Sequence, residues 1–469
     1  MAAANALAVN FVTKKNYPCI RCQLKICLVN PPIEDFYTTG IRRQPLGLLY
    51  IASSLKSAGH EVSLLNCHTN KRSGMELPAE FSYLLQYMKP SSSESFPFTG
   101  YTHYGMSWQE IEKRIKECSA ELYLVSSMFT TYYEETLRIF AIIKKHHALA
   151  VIAAGGHHAS LHPGHLLENG ANYVIQGEGE IPSVMLAHII EHGGSAADVP
   201  NLCLSEHGQV KKTCTRLTPD IDALDLPDRK LPAPASMRGR GKKFVTMIAS
   251  RGCPNRCSFC TSRIVWGKSF RERRSEDVIR EIKICVQDHG ADIINFEDDN
   301  LFPSRERALT LLEALIMEKE KHAFYPEFTA MNGISIEKLD GDIIMMMKRA
   351  GFREIDLSLV SHSDELQKNE RRPFSSEHFL EIACYALSAG FKVRGYFILG
   401  LPGQSVEEAY ETVSFMKNSG ISVFPSVYYN VLAPHDQWKM QRSSAFFNAR
   451  ADFPRDELIK CFNSCRPDL

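Results

Sequence analysis

The chain has 469 residues, 44% hydrophobic and 23% charged, enough for two or three globular domains. Lys+Arg and Asp+Glu balance at 54 each, so no charge excess points to a nucleic acid or an anionic membrane surface. Apolar runs such as residues 148–154 fall far short of the ~18 residues that read as a membrane span. Residues 2–12 are apolar, but no basic stretch precedes them and no cleavage site is clear, so no signal peptide is read there. Fourteen cysteines without a secretion signal suit a reducing cytoplasm.

Residues 1–24 read as a tail carrying Cys19 and Cys22. Cys461 and Cys465 lie near the other end, and the four are read as separate thiols rather than a second metal site. From residue 25 the pattern is α/β. Strands are predicted at 25–30, 61–65, 121–125 and 150–154, and helices at 45–56 and 134–145. Residues 69–107, polar and rich in Ser, Pro and Gly near 90–100, read as a loop. Strands separated by helices predict a parallel, doubly wound (Rossmann-like) sheet over 25–190. Ligands of such sheets sit at the carboxyl ends of the strands. Those ends hold Ser126 and Ser127, Gly155 and Gly156, and Gly177, Glu178 and Gly179, small residues that let a large ligand reach backbone N–H groups. His157, His158, His162 and His165 crowd one loop, read as polar rather than metal-binding. Residues 191–243 read as a linker, with prolines against regular structure over 220–234.

From residue 244 the alternation resumes. Strands are predicted at 244–250, 291–297, 326–331, 353–360, 392–399 and 421–428, with helices between them. Six units make a partial (β/α)6 barrel over 244–435, and barrel chemistry collects at the carboxyl ends of the strands. Residues 436–469 form an extension. The Met-rich run 343–347 is read as helix core. Cys253, Cys257 and Cys260 follow the first barrel strand in a Cx3Cx2C spacing, on a predicted loop. Three thiolates so close can hold three irons of a 4Fe–4S cube and leave the fourth iron open. Zinc usually asks for four ligands, and a disulfide for an oxidising compartment. Other distinctive residues fall on the same rim: Glu297, Asp298 and Asp299 after the second strand, Ser361 after the fourth, Gly400 and Gly403 after the fifth, and Tyr428 and Tyr429 after the sixth.

The cysteine spacing, with Phe259 just before the last thiol, resembles the signature of radical S-adenosylmethionine (SAM) enzymes, and the flanking text is similar to their cobalamin (B12)-binding branch over residues 25–434. The resemblance implies three cofactors: a 4Fe–4S cluster on Cys253, Cys257 and Cys260, SAM, and cobalamin. The SAM amino group would face Glu297, Asp298 and Asp299, with Ser361, Gly400 and Gly403 completing that pocket. Ser126, Ser127, Gly155, Gly156, Gly177, Glu178 and Gly179 match loops that cradle cobalamin. The DxHxxG motif, whose His ligates cobalt in other cobalamin proteins, is missing after the first strand, and His68 lacks its Asp and Gly, so no lower histidine ligand is expected. Where relatives often carry Gly-Ile-Glu-Ser, this chain has Val360 in place of the glutamate. The implied activity is a C-methyltransferase acting through a 5′-deoxyadenosyl radical on a small-molecule or natural-product precursor, served by a one-electron donor such as flavodoxin or ferredoxin. Cyclisation or rearrangement, or a sensor without turnover, are the rival readings.

Overall fold

Strand β1 (Lys25–Asn30) is buried from Ile26 to Val29 and runs along the middle of the first sheet. A strand covered on both faces reads as one apolar run instead of an alternation, which is why the sequence shows it so plainly. In the computed structural model, which describes residues 23–38, 43–88, 98, 100–231, 238–239, 241–322, 325–332, 334–372, 374–442 and 446–465, β1 pairs in parallel with β2 (Glu61–Asn66) and β3 (Leu122–Ser126). β4 (Val151–Gly155) and β5 (Tyr173–Ile175) extend the sheet beyond β3. The parallel order β2-β1-β3-β4-β5 reverses direction between β1 and β3. In doubly wound sheets the ligand crevice opens at that switch point. Leu48, Ala52 and Leu55 of helix Leu46–Ser57 pack with Val184, Leu186 and Ala187 of helix Glu180–His192 in one core cluster. Helices Trp108–Glu117 and Tyr133–His146 cover the opposite face with Ile111, Ile115, Ile139 and Phe140.

Two expectations need correction here. The segment read as a linker contains a hairpin, β6 (Leu202–Glu206) and β7 (Gln209–Lys212), which adds two antiparallel strands to the edge at β5. Its turn places His207 and Gly208 at φ 53° and 77°, as a two-residue hairpin turn requires. β7 is exposed throughout, so it carries no apolar alternation for a reader to detect. The segment read as a loop likewise holds structure. Tyr101–Tyr104 pairs antiparallel with Ile33–Asp35 and Arg72–Met75, and Ala79–Tyr87 forms a 3-10 helix. Phe81, Leu84 and Tyr101 of this insertion, together with Phe36, join the same hydrophobic cluster as the second domain.

The second domain is two arcs of three parallel strands. β8 (Lys242–Met247), β9 (Ile293–Phe296) and β10 (Glu327–Thr329) form the first. β11 (Glu354–Val360), β12 (Lys392–Leu399) and β13 (Ser422–Val427) form the second. Single parallel bridges, Phe328 to Phe352 and Ile334 to Leu357, join the arcs into the expected partial barrel. The outer helices start where a side chain can accept from the first turn: Ser304, Asp340, Ser375 and Ser405 each cap one. In the Met-rich helix, Ile343, Ile344 and Met347 face the core. Helix Arg455–Ser464 buries Cys461 and Cys465 in the barrel core, while Cys19 and Cys22 lie outside the described residues. No helix among the described residues is long and apolar enough to cross a membrane.

Candidate active site

After β8 the chain makes a closed excursion. Ser250 and Arg251 pair with Glu272 and Arg271, so residues 252–270 form a loop tied at its base. Gly252 sits at φ 86°, where a Cβ would lie 2.7 Å from the Ser269 carbonyl oxygen. Only glycine permits that closure. Within the loop the Cys260 N–H donates to the Cys257 carbonyl at 3.2 Å. Cys253, Cys257 and Cys260, with Asn255, Ser262 and Arg263, line one cavity of about 230 Å³. Among the described residues no three His, Cys, Asp or Glu side chains converge as ligands of a single ion. A cube asks for something else, one thiolate on each of three irons. Burial pushes the Cys253 thiol up to about 11 and the Cys260 thiol above its ordinary value. These thiols hold their protons until a metal displaces them.

The acidic run after β9 splits. The fully buried Asp298 accepts from the Ala249 N–H at 3.0 Å and from Ser250 Oγ, tying the end of β8 to the end of β9. Burial pushes its carboxyl up to about 6. Of the three carboxylates expected to face one ligand, Asp298 is the one bonded to the end of β8. Successive side chains in extended chain point to opposite sides, which separates Glu297 and Asp299 from it. Glu297 accepts from the Asn295 and Asn332 side-chain amides, and burial pushes it up to about 7. Asp299 accepts from Ser262 Oγ at 2.8 Å, and burial raises its carboxyl beside His157 and the thiols of Cys253 and Cys260.

Ser361 also turns away from the rim. It is wholly buried, donates to Glu408 of the helix Val406–Asn418 and accepts from the Ser363 N–H at 2.9 Å. Val360, in the place of the relatives' glutamate, stands at φ 75°. It forms an apolar wall with Leu366 and Leu401, against which Phe259 and Tyr428 pack. A β-branched residue rarely holds a left-handed backbone, so the surrounding packing must impose it. Gly403 (φ 81°) faces open space. The Gly400 carbonyl is covered by Asn448 Nδ2 at 3.3 Å, and Arg450 donates to the carbonyls of Leu401 and Gln404 at 3.0 and 2.6 Å. Those two residues of the C-terminal segment carried no recognisable sequence signal. Neither did Arg372, whose Nη1 donates to Cys257 Sγ at 3.2 Å across 115 residues.

At the edge of the first sheet, Ser126, Ser127, Gly155 and Gly156 stand together on the ends of β3 and β4. The Ser127 N–H donates to the Gly155 carbonyl at 2.7 Å. Gly156 has φ 119°, and a Cβ there would lie 2.6 Å from the Ser127 carbonyl oxygen. Gly177, Glu178 and Gly179 belong to a different surface. A Cβ on Gly177 would lie 2.9 Å from the Val265 carbonyl oxygen, and one on Gly179 2.7 Å from Ile51 Cδ1. Glu178 accepts from Arg251 at 3.0 Å, Arg271 at 2.7 Å and the Thr218 N–H at 2.5 Å, and Glu180 pairs with Arg251 at 2.5 Å. Burial alone would raise Glu178, yet the arginine charges hold it below its usual value. Glu178 and Glu180 thus form an ionic junction between the two domains through Arg251, two residues before Cys253.

The histidine segment, read as a loop, is two short helices, His157–Leu161 and Pro163–Glu168, and its rings divide as well. His157 turns to Trp266 of the cysteine loop, ring centroids 5.9 Å apart. His158, His162 and His165 gather with Tyr133, His435 and Trp438, with centroids 4.3 Å apart for His162–Trp438 and 4.6 Å for His165–His435. His162 Nε2–H donates to the Val431 carbonyl at 2.7 Å, so the rings fasten the C-terminal segment to the first domain. Burial, then repulsion among the rings, pushes His158 down to about 3 and His165 down to about 4. Free histidine titrates near 6.5. The unfolded chain therefore binds these protons first, and stability falls as pH drops from about 6.5 towards about 4. Limited proteolysis at pH 5 should release the 428–442 segment faster than at pH 7.5, and His158→Phe should flatten that difference.

An α/β sheet with a switch-point crevice, joined edge to rim with a partial barrel that carries three cysteines on its first loop, defines a class of cofactor-dependent enzyme rather than a metal-storage or structural protein. The comparisons agree. Residues 247–416 match the model of the Radical SAM superfamily, and residues 98–187 match the B12 binding domain. The chain is 25% identical to a cytidylyl-2-hydroxyethylphosphonate methyltransferase from Streptomyces wedmorensis, over 86% of this chain and 79% of that protein. It is 24% identical to an anaerobic magnesium-protoporphyrin IX monomethyl ester cyclase from a Synechocystis species, over 74% of this chain and 63% of the relative. Among solved structures, the radical SAM methyltransferase TsrM from Kitasatospora setae, with cobalamin and a 4Fe–4S cluster bound, superposes with a TM-score of 0.68 at 16% identity, covering 87% of this chain and 75% of that one. The chain belongs to the radical SAM enzymes that carry a B12-binding domain, the family of the methyltransferases just described.

Proposed function

We propose that this chain transfers a methyl group to an unactivated carbon of a small molecule, with SAM, a 4Fe–4S cluster and cobalamin as its cofactors. The observation that carries the reading is the cavity lined by Cys253, Cys257 and Cys260 at the barrel rim, beside the short helix His157–Leu161 of the first domain. Three thiols and, among the described residues, no fourth sulfur on that cavity fit a cube with one iron open to SAM. When bound, these groups supply a 5′-deoxyadenosyl radical for hydrogen abstraction and a carrier for the methyl group; the protein supplies position and exclusion of water. Cys253, Cys257 and Cys260 would hold the cluster. Glu297 and Asp299 would meet the SAM amine through charge-assisted bonds, and Gly403 leaves backbone open to its adenine. Phe259, Val360, Leu401 and Tyr428 keep the adjoining wall dry. Ser126, Ser127, Gly155 and Gly156 would admit cobalamin at the sheet edge.

No histidine would ligate cobalt from below, since β1 runs out into Asn30, Pro31 and Pro32. Tyr428, Tyr429, Gln441, Arg442, Phe446 and Asn448 line a small recess under the C-terminal segment. Pro254, Arg256 and Ser258 of the cysteine loop are exposed, which would leave it open to a flavodoxin- or ferredoxin-like electron donor. All twelve cysteines among the described residues are free thiols, which suits a reducing cytoplasm.

The match to a cyclase keeps one rival, in which the same radical closes a ring. Anaerobic reconstitution with iron, sulfide and hydroxocobalamin, followed by SAM and a strong reductant, separates the two. Methyl transfer leaves both 5′-deoxyadenosine and S-adenosylhomocysteine; cyclisation leaves only the first. Neither product from a cluster-loaded protein would sink both readings. In the same sample, reduced to cobalt(II), the EPR spectrum should lack the nitrogen splitting that a histidine ligand imposes.

A further inference from the structure

The loop between helices Asp364–Asn369 and Ser376–Ser388 reaches into the cysteine loop. The Ser258 N–H donates to the Glu370 carbonyl at 3.3 Å, and Ser258 Oγ bonds the Glu370 carboxylate. Two residues on, Arg372 lays its guanidinium over the Phe374 ring, 4.7 Å from the centroid. One end of the fork, Nη2, donates to the Ser358 carbonyl at 3.0 Å. The other, Nη1, donates to Cys257 Sγ at 3.2 Å. The buried Arg372 Nε–H has no acceptor among the described residues, so a donor is left over beside the thiols. The guanidinium cannot lose its charge. It is held at three points, by a carbonyl, a ring and a sulfur, so it does not wander from the cavity.

Resting on the functional reading above, we propose that Arg372 is a positioning and tuning residue: it sets the reduction potential of the cluster by hydrogen bonding to the Cys257 sulfur. Hydrogen bonds to cluster sulfurs and local net charge are two of the main levers on such potentials. Reduction adds one negative charge to the cluster. A fixed cation bonded to a ligand sulfur stabilises that reduced state more than the oxidised one, so Arg372 raises the potential. It eases the entry of the electron that a mild cellular donor must deliver. Lysine would keep the charge but not the planar fork that reaches both Ser358 and Cys257.

The test is an EPR-monitored redox titration of the reconstituted full chain without SAM, for wild type, Arg372→Gln and Arg372→Lys. Arg372→Gln should show normal iron and sulfide content but about a tenfold lower ratio of reduced to oxidised cluster at a given potential, a fall of about 59 mV for a one-electron couple. Arg372→Lys should fall between the two. A second measurement uses wild-type protein grown on arginine labelled with nitrogen-15 in the guanidinium. Pulsed EPR of the reduced cluster should show a nitrogen-15 coupling that Arg372→Lys loses. That measurement decides the matter if Arg372→Gln takes up no cluster. Equal potentials in wild type and Arg372→Gln, or no coupling in wild type, overturn the inference and leave the functional reading standing. A wild-type protein that takes up no cluster overturns both.

Discussion

Replacing Cys257 by alanine abolishes the iron–sulfur absorbance of the reconstituted protein and lowers 5′-deoxyadenosine formation by more than about 10³-fold. The expectation follows from how little else the cavity offers. Its lining is Cys253, Asn255, Cys257, Cys260, Ser262 and Arg263, so no neighbouring thiol can step into the vacant place. Two thiolates hold two irons, and the remaining irons of a cube would face water. Cys253→Ala and Cys260→Ala should behave alike. The thiol of Cys384, exposed on the helix Ser376–Ser388, provides the control: Cys384→Ala should keep both cluster and product. Circular dichroism separates lost chemistry from lost fold, since the loop is tied at its base by the pairing of Ser250 and Arg251 and not by the thiols. A Cys257→Ala protein that still cleaves SAM at the wild-type rate would remove the cysteine loop from the mechanism.

Arg442→Met should cost about 3–5 kcal/mol of stability, read as a lower guanidinium midpoint for Trp438 fluorescence. The side chain is fully buried and bonds Glu135 at 2.6 and 3.1 Å and the Glu34 carbonyl, under the rings of Tyr101 and Tyr132. Removing the arginine leaves the Glu135 carboxylate, itself 2% exposed, without its counter-charge. Burial already raises the Glu135 carboxyl even with Arg442 in place. Most of the loss is therefore the cost of an abandoned charge, not the worth of the pair. The double variant Arg442→Met, Glu135→Leu should recover a large part of it, and a double-mutant cycle measures how much. No recovery would mean that Arg442 acts through its packing on the tyrosines instead. The consequence for function is that Arg442 pins the segment whose next described residues, Phe446 and Asn448, wall the small recess and cover Gly400.

How legible this protein was in its sequence depended on where the signal resided. Buried parallel strands such as β1 and β3 announce themselves as apolar runs, so the sheet and the six barrel units could be read in order. The exposed hairpin β6–β7 could not, because β7 buries nothing. The insertion between β2 and β3 was missed for another reason: Phe81, Leu84 and Tyr101 look scattered until the barrel supplies the surface they pack on. Among the site residues, the cysteines were legible because a loop spanning eight residues sets their proximity locally. Glu178, Asp298 and Ser361 were assigned to ligands, yet each meets a protein partner that lies far along the chain: Arg251 for Glu178, Ala249 for Asp298 and Glu408 for Ser361.

The local chain, through thiol spacing, turn glycines and the alternation of apolar runs, determined the two α/β modules and the place of the reactive loop. These depend on neighbours a few residues apart, and short-range sterics and periodicity carry that information. Only the tertiary structure decided which polar side chains remain free for a ligand. A carboxylate or arginine in a folded core takes whatever opposite charge the packing brings to it, as Arg372 takes Cys257 across 115 residues and Arg442 takes Glu135 across 307.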